Sequence, residues 1–194
     1  MFTKLKNKLK VNWLKTIIFN FKMLPFKQAL LLPIILYGRI DISGCCGKVI
    51  LKEEKIHHGM AFIGSTVFHF GKWGECSNLT MLTICGRFYL GEKSRIQNGC
   101  IVYVAKGALL ELDDFASIGP NNEVYCTEHI CLGPYFLSSW NCQFFDTNCH
   151  YYAENKTTIH RLNKEVVIGK NCWIGAGAII LGGVTIGDNS VIGA

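Results

Sequence analysis

Six histidines, His57, His58, His69, His129, His150 and His160, are the side chains best suited to move a proton near neutral pH. His150 differs from the others in its setting. A regular aliphatic period runs out at Cys142 and returns only at Ile168, and His150 stands near the start of the polar and aromatic stretch between them. Asp146 and Asn148 precede it by four and two residues, close enough to orient the imidazole or to bond a hydroxyl. A carboxylate on the far ring nitrogen would select the tautomer and stabilise the imidazolium. The same Asp-Thr-Asn run also suits a turn that only shapes the loop. The chemistry suggested is general-base activation of a hydroxyl. The other five histidines read as surface or structural residues, with His160 able to reach a substrate from the loop tip.

The elements that would hold these residues show in a repeat of six. Isoleucine recurs at 168, 174, 180, 186 and 192, glycine follows four of the five, and the small or slim residues Cys172, Ala178, Val184 and Ser190 stand four places on. Such a pattern predicts short strands with one inward aliphatic each, three hexads closing a triangular coil, and coils stacked at the strand spacing of about 4.8 Å. The period extends upstream through Ile84, Leu90, Ile96 and Val102, then in a shifted register through Leu112, Ile118, Val124, Ile130, Phe136 and Cys142, with a break near Lys106 to Ala108. Before Ile84 it is blurred, and the coils are expected to begin between Gly38 and Gly47. Two units follow: a basic amphipathic helical extension over 1–37 and a mainly β repeat domain over 38–194, with a loop excursion at about 146–166. Periodicity does not fix the hand of the coil, and the general rule for parallel crossovers favours a right-handed one.

Composition narrows the function. The 194 residues carry a net charge of +6, and seven lysines (Lys4, Lys6, Lys8, Lys10, Lys15, Lys22, Lys27) precede the first acid, Asp41. A basic head on a nearly neutral body suits an anionic lipid surface better than a nucleic-acid groove. On a helix, Lys4, Lys8, Lys15 and Lys22 share one face and Leu5, Leu9, Trp13 and Ile17 another; the alternative is a helix that caps the first coil. The longest uncharged run of this head, Gln28 to Gly38, is too short to span a bilayer. Lysines interrupt every early apolar run, so no cleavable signal peptide is expected, and the ten cysteines are read as reduced residues of a cytoplasmic protein. They include no C-x-x-C pair, no structural metal site is expected, and most should be small core residues.

The segment KNCWIGAGAIILGGVTIGDNSVIGA resembles the hexapeptide-repeat acyltransferases, QFFDTNCHYY resembles the catalytic segment of their polysaccharide O-acetyltransferase branch, and FNFKMLPFKQALLLPIILYG is similar to the amino-terminal extension of capsule and lipopolysaccharide O-acetyltransferases. The resemblance implies a left-handed parallel β-helix, an exception to the handedness rule, and a homotrimer with active sites between subunits. It implies acetyl-CoA as co-substrate, a sugar or lipid-linked oligosaccharide as acceptor, and a place in O-antigen or capsule biosynthesis. His150 matches the base position, and Trp173, Ala176 and Ala194 match positions that lie against the pantetheine arm. Trp173 also suits an apolar side chain buried between subunits. One departure is that the family pattern continues beyond IGA with a further coil and a closing segment, whereas this chain stops at Ala194. That leaves a shortened, non-catalytic scaffold as an alternative. A zinc enzyme of the carbonic anhydrase type is a weaker one, since the spacing of His129, His150 and His160 does not supply an obvious ligand set.

Overall fold

A six-residue period with one inward aliphatic per hexad leaves each strand only two to five residues before the chain must turn, and the chain turns accordingly at three corners per coil. The computed structural model describes residues 11–52, 56–65, 78–153, 159–161 and 163–194. Lys4, Lys6, Lys8, Lys10, Leu5, Leu9, His69 and Cys76 lie outside them.

Three parallel sheets form the walls of a prism. The first stacks β1 (Ile34–Leu36), β4 (Ala61–Ser65), β7 (Arg95–Gln97), β10 (Ser117–Ile118), β13 (Leu137–Ser138), β18 (Trp173–Ile174) and β21 (Val191–Ile192). The second stacks β2 (Ile40–Asp41), β5 (Thr80–Ile84), β8 (Ile101–Val104), β11 (Glu123–Cys126), β14 (Gln143–Phe145) and β19 (Ile179–Ile180). The third stacks β3 (Lys48–Leu51), β6 (Arg87–Leu90), β9 (Leu109–Leu112), β12 (His129–Leu132), β17 (Val166–Ile168) and β20 (Thr185–Ile186). The chain visits the sheets in rotation, so each turn of three strands is one coil of a left-handed parallel β-helix.

Register converts the sequence period into columns of like residues. In the second sheet Leu82, Val102, Val124, Phe144 and Ile180 pair in series, and in the third Leu51, Leu90, Leu112, Leu132, Ile168 and Ile186 do the same. Almost all of these are buried. Each column is an aliphatic ladder whose burial, at roughly 25 cal/mol per Å² of apolar surface, is the main favourable term. The predicted inward positions Ile84, Leu90, Ile96, Val102, Leu112, Ile118, Val124, Ile130, Phe136 and Cys142 are all buried.

The corners need backbone that L-residues adopt reluctantly. Lys93, Phe115, Tyr135, Asn171 and Asn189 recur at positive φ on the edge between the third and first sheets. Close approach makes glycine necessary at some corners. A Cβ on Gly119 would lie 2.1 Å from the Ser139 carbonyl oxygen of the next coil.

Ahead of the coils, α1 (Trp13–Met23) and α2 (Phe26–Ala29) lie across the end of the prism. Asn12 caps α1, its side chain accepting from the Lys15 amide at 3.2 Å, and Pro25 breaks the chain between the helices. Thr16, Phe19, Asn20 and Met23, spaced three or four apart, form the buried face of α1. Asn20 Nδ2 donates to the Ile34 carbonyl at 2.7 Å, and the Leu36 amide donates to Thr16 Oγ1 at 3.0 Å, so the helix satisfies part of the open edge of β1. The helix therefore caps the first coil, and that coil begins at Ile34, ahead of the start expected between Gly38 and Gly47. Lys15, on the same side of α1 as Lys22, turns its ammonium back to donate to the Ile40 carbonyl. Among the described residues no helix is long and apolar enough to cross a membrane.

Candidate active site

The coil is interrupted where the second sheet passes to the third after β14. The chain leaves at Asp146 and returns at Lys164, and the excursion carries an antiparallel pair, β15 (Tyr151–Ala153) and β16 (Ile159–Arg161), which places His160 opposite Tyr152 along the backbone. The Lys164 amide donates to the Asp146 carbonyl at 2.9 Å, closing the base of the loop, and the Gly183 amide of the next coil donates to the Lys164 carbonyl at 3.2 Å. A Cβ on Gly182 would stand 3.0 Å from the Asp146 carbonyl oxygen, so the coil beneath the loop packs closely against it.

Asp146 is 0 % exposed, and its carboxylate is fully committed. One oxygen accepts from the Thr127 amide at 2.8 Å and the Thr127 hydroxyl at 2.9 Å, and the other accepts from the Thr127 amide at 2.9 Å and the Glu128 amide at 2.7 Å. In the resting chain these bonds turn the carboxylate toward Thr127 and Glu128. It latches the start of the excursion onto the corner of the preceding coil.

Beyond the latch, short local bonds build the turn. Thr147 Oγ1 accepts from the Cys149 amide at 3.0 Å and donates to Asn163 Oδ1 at 2.7 Å, tying the two limbs of the loop together. Asn148 Oδ1 accepts from the His150 amide at 3.0 Å, and Cys149 turns the chain at φ 58°. Asn148 thus sets the backbone that presents His150. His150 itself is exposed, and its ring has no hydrogen-bond partner among the described residues. An imidazole in water at the mouth of a latched turn is free to take a proton from an incoming hydroxyl.

The residues matched to the pantetheine arm stand elsewhere on the prism. Trp173 begins β18 in the first sheet and is 47 % exposed, with Nε1 donating to Ser139 Oγ at 3.2 Å. Ala176 follows at the corner between the first and second sheets. Ala194 stacks one coil beyond, where a Cβ on Gly175 would meet its amide nitrogen at 2.8 Å. These three cluster with one another on one edge, whereas His150 leaves from the edge between the second and third sheets. The whole second sheet separates the two groups within one chain.

His129 lies on the outer face of the third sheet, with Nε2 3.0 Å from Glu111 and Nδ1 3.0 Å from Glu165. Burial disfavours its charged form, but the two carboxylates outweigh this and raise its pKa. Both ring nitrogens are engaged by carboxylates, so His129 does not converge with His150. Among the described residues no group of three or more His, Cys, Asp or Glu is placed to hold a metal ion. Thr127, Glu128, Asn163 and Lys164, which fix the loop base, escaped the sequence reading. The repeat marks inward positions and carries no signal for corner residues one coil away.

The bacterial transferase hexapeptide family, described as six repeats, matches residues 165–194. Over 85 residues, 44 % of this chain, it is 33 % identical to WcaF of Escherichia coli (strain K12), whose name provisionally assigns it to colanic acid biosynthesis as an acetyltransferase; the match covers 45 % of that protein. The Shigella flexneri protein of the same name matches equally. A galactoside O-acetyltransferase of Lactococcus lactis subsp. lactis (strain IL1403) is 36 % identical over 75 residues, 38 % of this chain and 33 % of the relative. The chain spans less than half the length of the curated relatives it matches. No solved structure matches it significantly.

Proposed function

We propose that this chain, which carries bacterial transferase hexapeptide repeats and resembles acetyltransferases over its matched region, is an O-acetyltransferase that moves an acetyl group from acetyl-CoA to a sugar hydroxyl. The observation that carries the reading is His150, exposed and with no ring partner among the described residues, on a turn pinned by Asp146, Thr147 and Asn148. A ring nitrogen of His150 takes the proton of the acceptor hydroxyl as its oxygen attacks the thioester carbonyl. The tetrahedral adduct collapses with loss of the carbon–sulfur bond, and the imidazolium returns the proton to the departing CoA sulfur. Asn148 and Asp146 serve by positioning.

Trp173, Ala176 and Ala194 form the proposed wall for the pantetheine arm. Their separation from His150 by a full sheet supports an active site shared between neighbouring subunits of a homotrimer, in which one chain supplies the base and the next the thioester groove. Exposed apolar side chains on the last coils, Ile179, Leu181 and Val191, give such an assembly surface to bury. The acceptor is proposed to be a sugar of a surface polysaccharide, as the names of the relatives suggest. The deciding assay is release of free CoA thiol from acetyl-CoA on addition of a panel of sugar acceptors. Acceptor-dependent release is expected; a folded chain that binds no acetyl-CoA at millimolar concentration would instead leave the scaffold reading standing.

The enzyme is proposed to be cytoplasmic and to work against the inner face of the membrane, and the exposed surface of the amino-terminal helices supports the membrane contact. Opposite its buried face, α1 exposes Trp13, Leu14, Ile17, Ile18 and Phe21, and Phe26, Leu30 and Leu31 continue this surface beside the exposed Lys22 and Lys27. A helix apolar on both sides needs a second apolar environment, and flanking lysines suit anionic headgroups. A lipid-linked oligosaccharide would then meet the enzyme at its own surface. The chain is expected to sediment with vesicles containing anionic phospholipid at low salt, and Leu14→Glu with Phe26→Glu should lower the bound fraction about tenfold or more. Equal sedimentation of parent and variant would remove the membrane reading.

A further inference from the structure

Cys46 and Cys85 stand on the same corner of successive coils, between the second and third sheets. The parallel register of β3 and β6, in which Lys48 faces Arg87 and Val49 faces Phe88, brings residue 46 opposite residue 85 when continued back. The corner is tightly drawn: the Cys46 and Gly47 amides both donate to the Ile84 carbonyl, at 2.8 and 2.7 Å, and a Cβ on Gly47 would lie 2.1 Å from the Gly86 oxygen. The two sulfur atoms are 2.9 Å apart, the one sulfur–sulfur contact among the described residues.

The other described cysteines are placed differently. Cys45, Cys100, Cys126, Cys142 and Cys172 are buried, and each thiol donates to a backbone carbonyl. Burial pushes the Cys45 thiol up to about 11 and Cys100 up to about 12, which holds them as inert core residues. Cys149 is exposed, and Cys131 is half-buried within β12 of the third sheet. Cys46 is exposed and Cys85 half-buried beside it.

We propose that Cys46 and Cys85 are a reversible dithiol–disulfide pair. Disulfides require Cα atoms roughly 4.4 to 6.8 Å apart, and stacked parallel strands supply about 4.8 Å at every rung, so the bond closes by side-chain rotation without moving backbone. The oxidant is a low-molecular-weight disulfide such as oxidised glutathione. The Cys46 thiolate attacks one of its sulfurs and expels a thiolate, giving a mixed disulfide. The Cys85 thiolate then attacks the Cys46 sulfur and expels the second thiol. Two protein thiols lose two electrons and two protons, and one oxidant disulfide becomes two thiols. The bond would tie the first coil, where the helices cap the prism, to the second across the chain between residues 46 and 85, removing loop freedom from the unfolded state.

The test is to incubate the folded full chain with oxidised glutathione, alkylate free thiols, digest without reduction and map the products by mass spectrometry. Trypsin leaves Cys45 with Cys46 and Cys76 with Cys85, so Cys45→Ser and Cys76→Ser are run in parallel. The expected result is a Cys46–Cys85 cross-link in the parent and in both of those variants, reversed by dithiothreitol and lost in Cys46→Ser and in Cys85→Ser. The unfolding midpoint of the oxidised parent should rise by about 5 °C or more. A glutathione adduct that persists on Cys46 with Cys85 free, a cross-link that disappears in Cys45→Ser or Cys76→Ser, or thiols that stay fully reduced would overturn the proposal.

Discussion

Replacement of His150 by alanine is expected to lower the rate of acceptor-dependent CoA release by about 10²- to 10⁴-fold, the usual contribution of a positioned general base. The loss should fall on kcat, because the ring is exposed and bonds no other described group, so removing it empties no packed site and orphans no donor. For the same reason the unfolding midpoint should stay within about 1 °C of the parent. Single-turnover measurement of thiol release, alongside thermal unfolding, separates these effects. A rate within threefold of the parent would take the base role away from His150 and overturn the proposed mechanism.

Asp146→Ala is expected to combine a large structural loss with a kinetic one. The carboxylate is buried and accepts from the Thr127 amide, the Thr127 hydroxyl and the Glu128 amide. Truncation orphans three donors at a closed corner, at a cost of about 3 kcal/mol or more in stability. The loop base would loosen with them, and because misplacement by about 1 Å can cost a hundredfold in rate, kcat should fall about 10- to 100-fold. Asp146→Asn distinguishes positioning from direct action. Its amide nitrogen sets a donor against backbone donors, so stability falls, yet a positioning residue leaves the pH–rate limb of His150 where it was. A carboxylate that paired with the His150 ring in the working complex would, when replaced, move that limb to lower pH, since the imidazolium would lose an opposing charge.

The contrast between these residues shows what was legible in the sequence. The inward columns could be read directly, because Ile168, Ile174, Ile180 and Ile186 each meet the same requirement every six residues and nothing else competes for the position. The first coils blur because more residues separate their strands than a six-residue period allows, and their inward sites are filled by Leu82 and Phe88 as well as isoleucine. The departure near Asp146 showed as the end of the period. Its latch did not, since Thr127 and Glu128 sit at a corner whose side chains the repeat leaves unspecified. The inner face of α1 was hidden for a different reason: with apolar residues on both sides of the helix, hydropathy alone does not say which side meets the coil.

Because the excursion leaves and rejoins at one corner, held by the bond from the Lys164 amide to the Asp146 carbonyl, the columns on either side of it run on without a gap: Phe144 pairs with Ile180 and Leu132 with Ile168 across the insertion. Length and composition between Thr147 and Asn163 are therefore uncoupled from the register of the walls. Descendants of such a chain can exchange this one segment while every inward aliphatic stays under the same constraint, so whatever chemistry the segment carries and the foldability of the walls can evolve as separate traits.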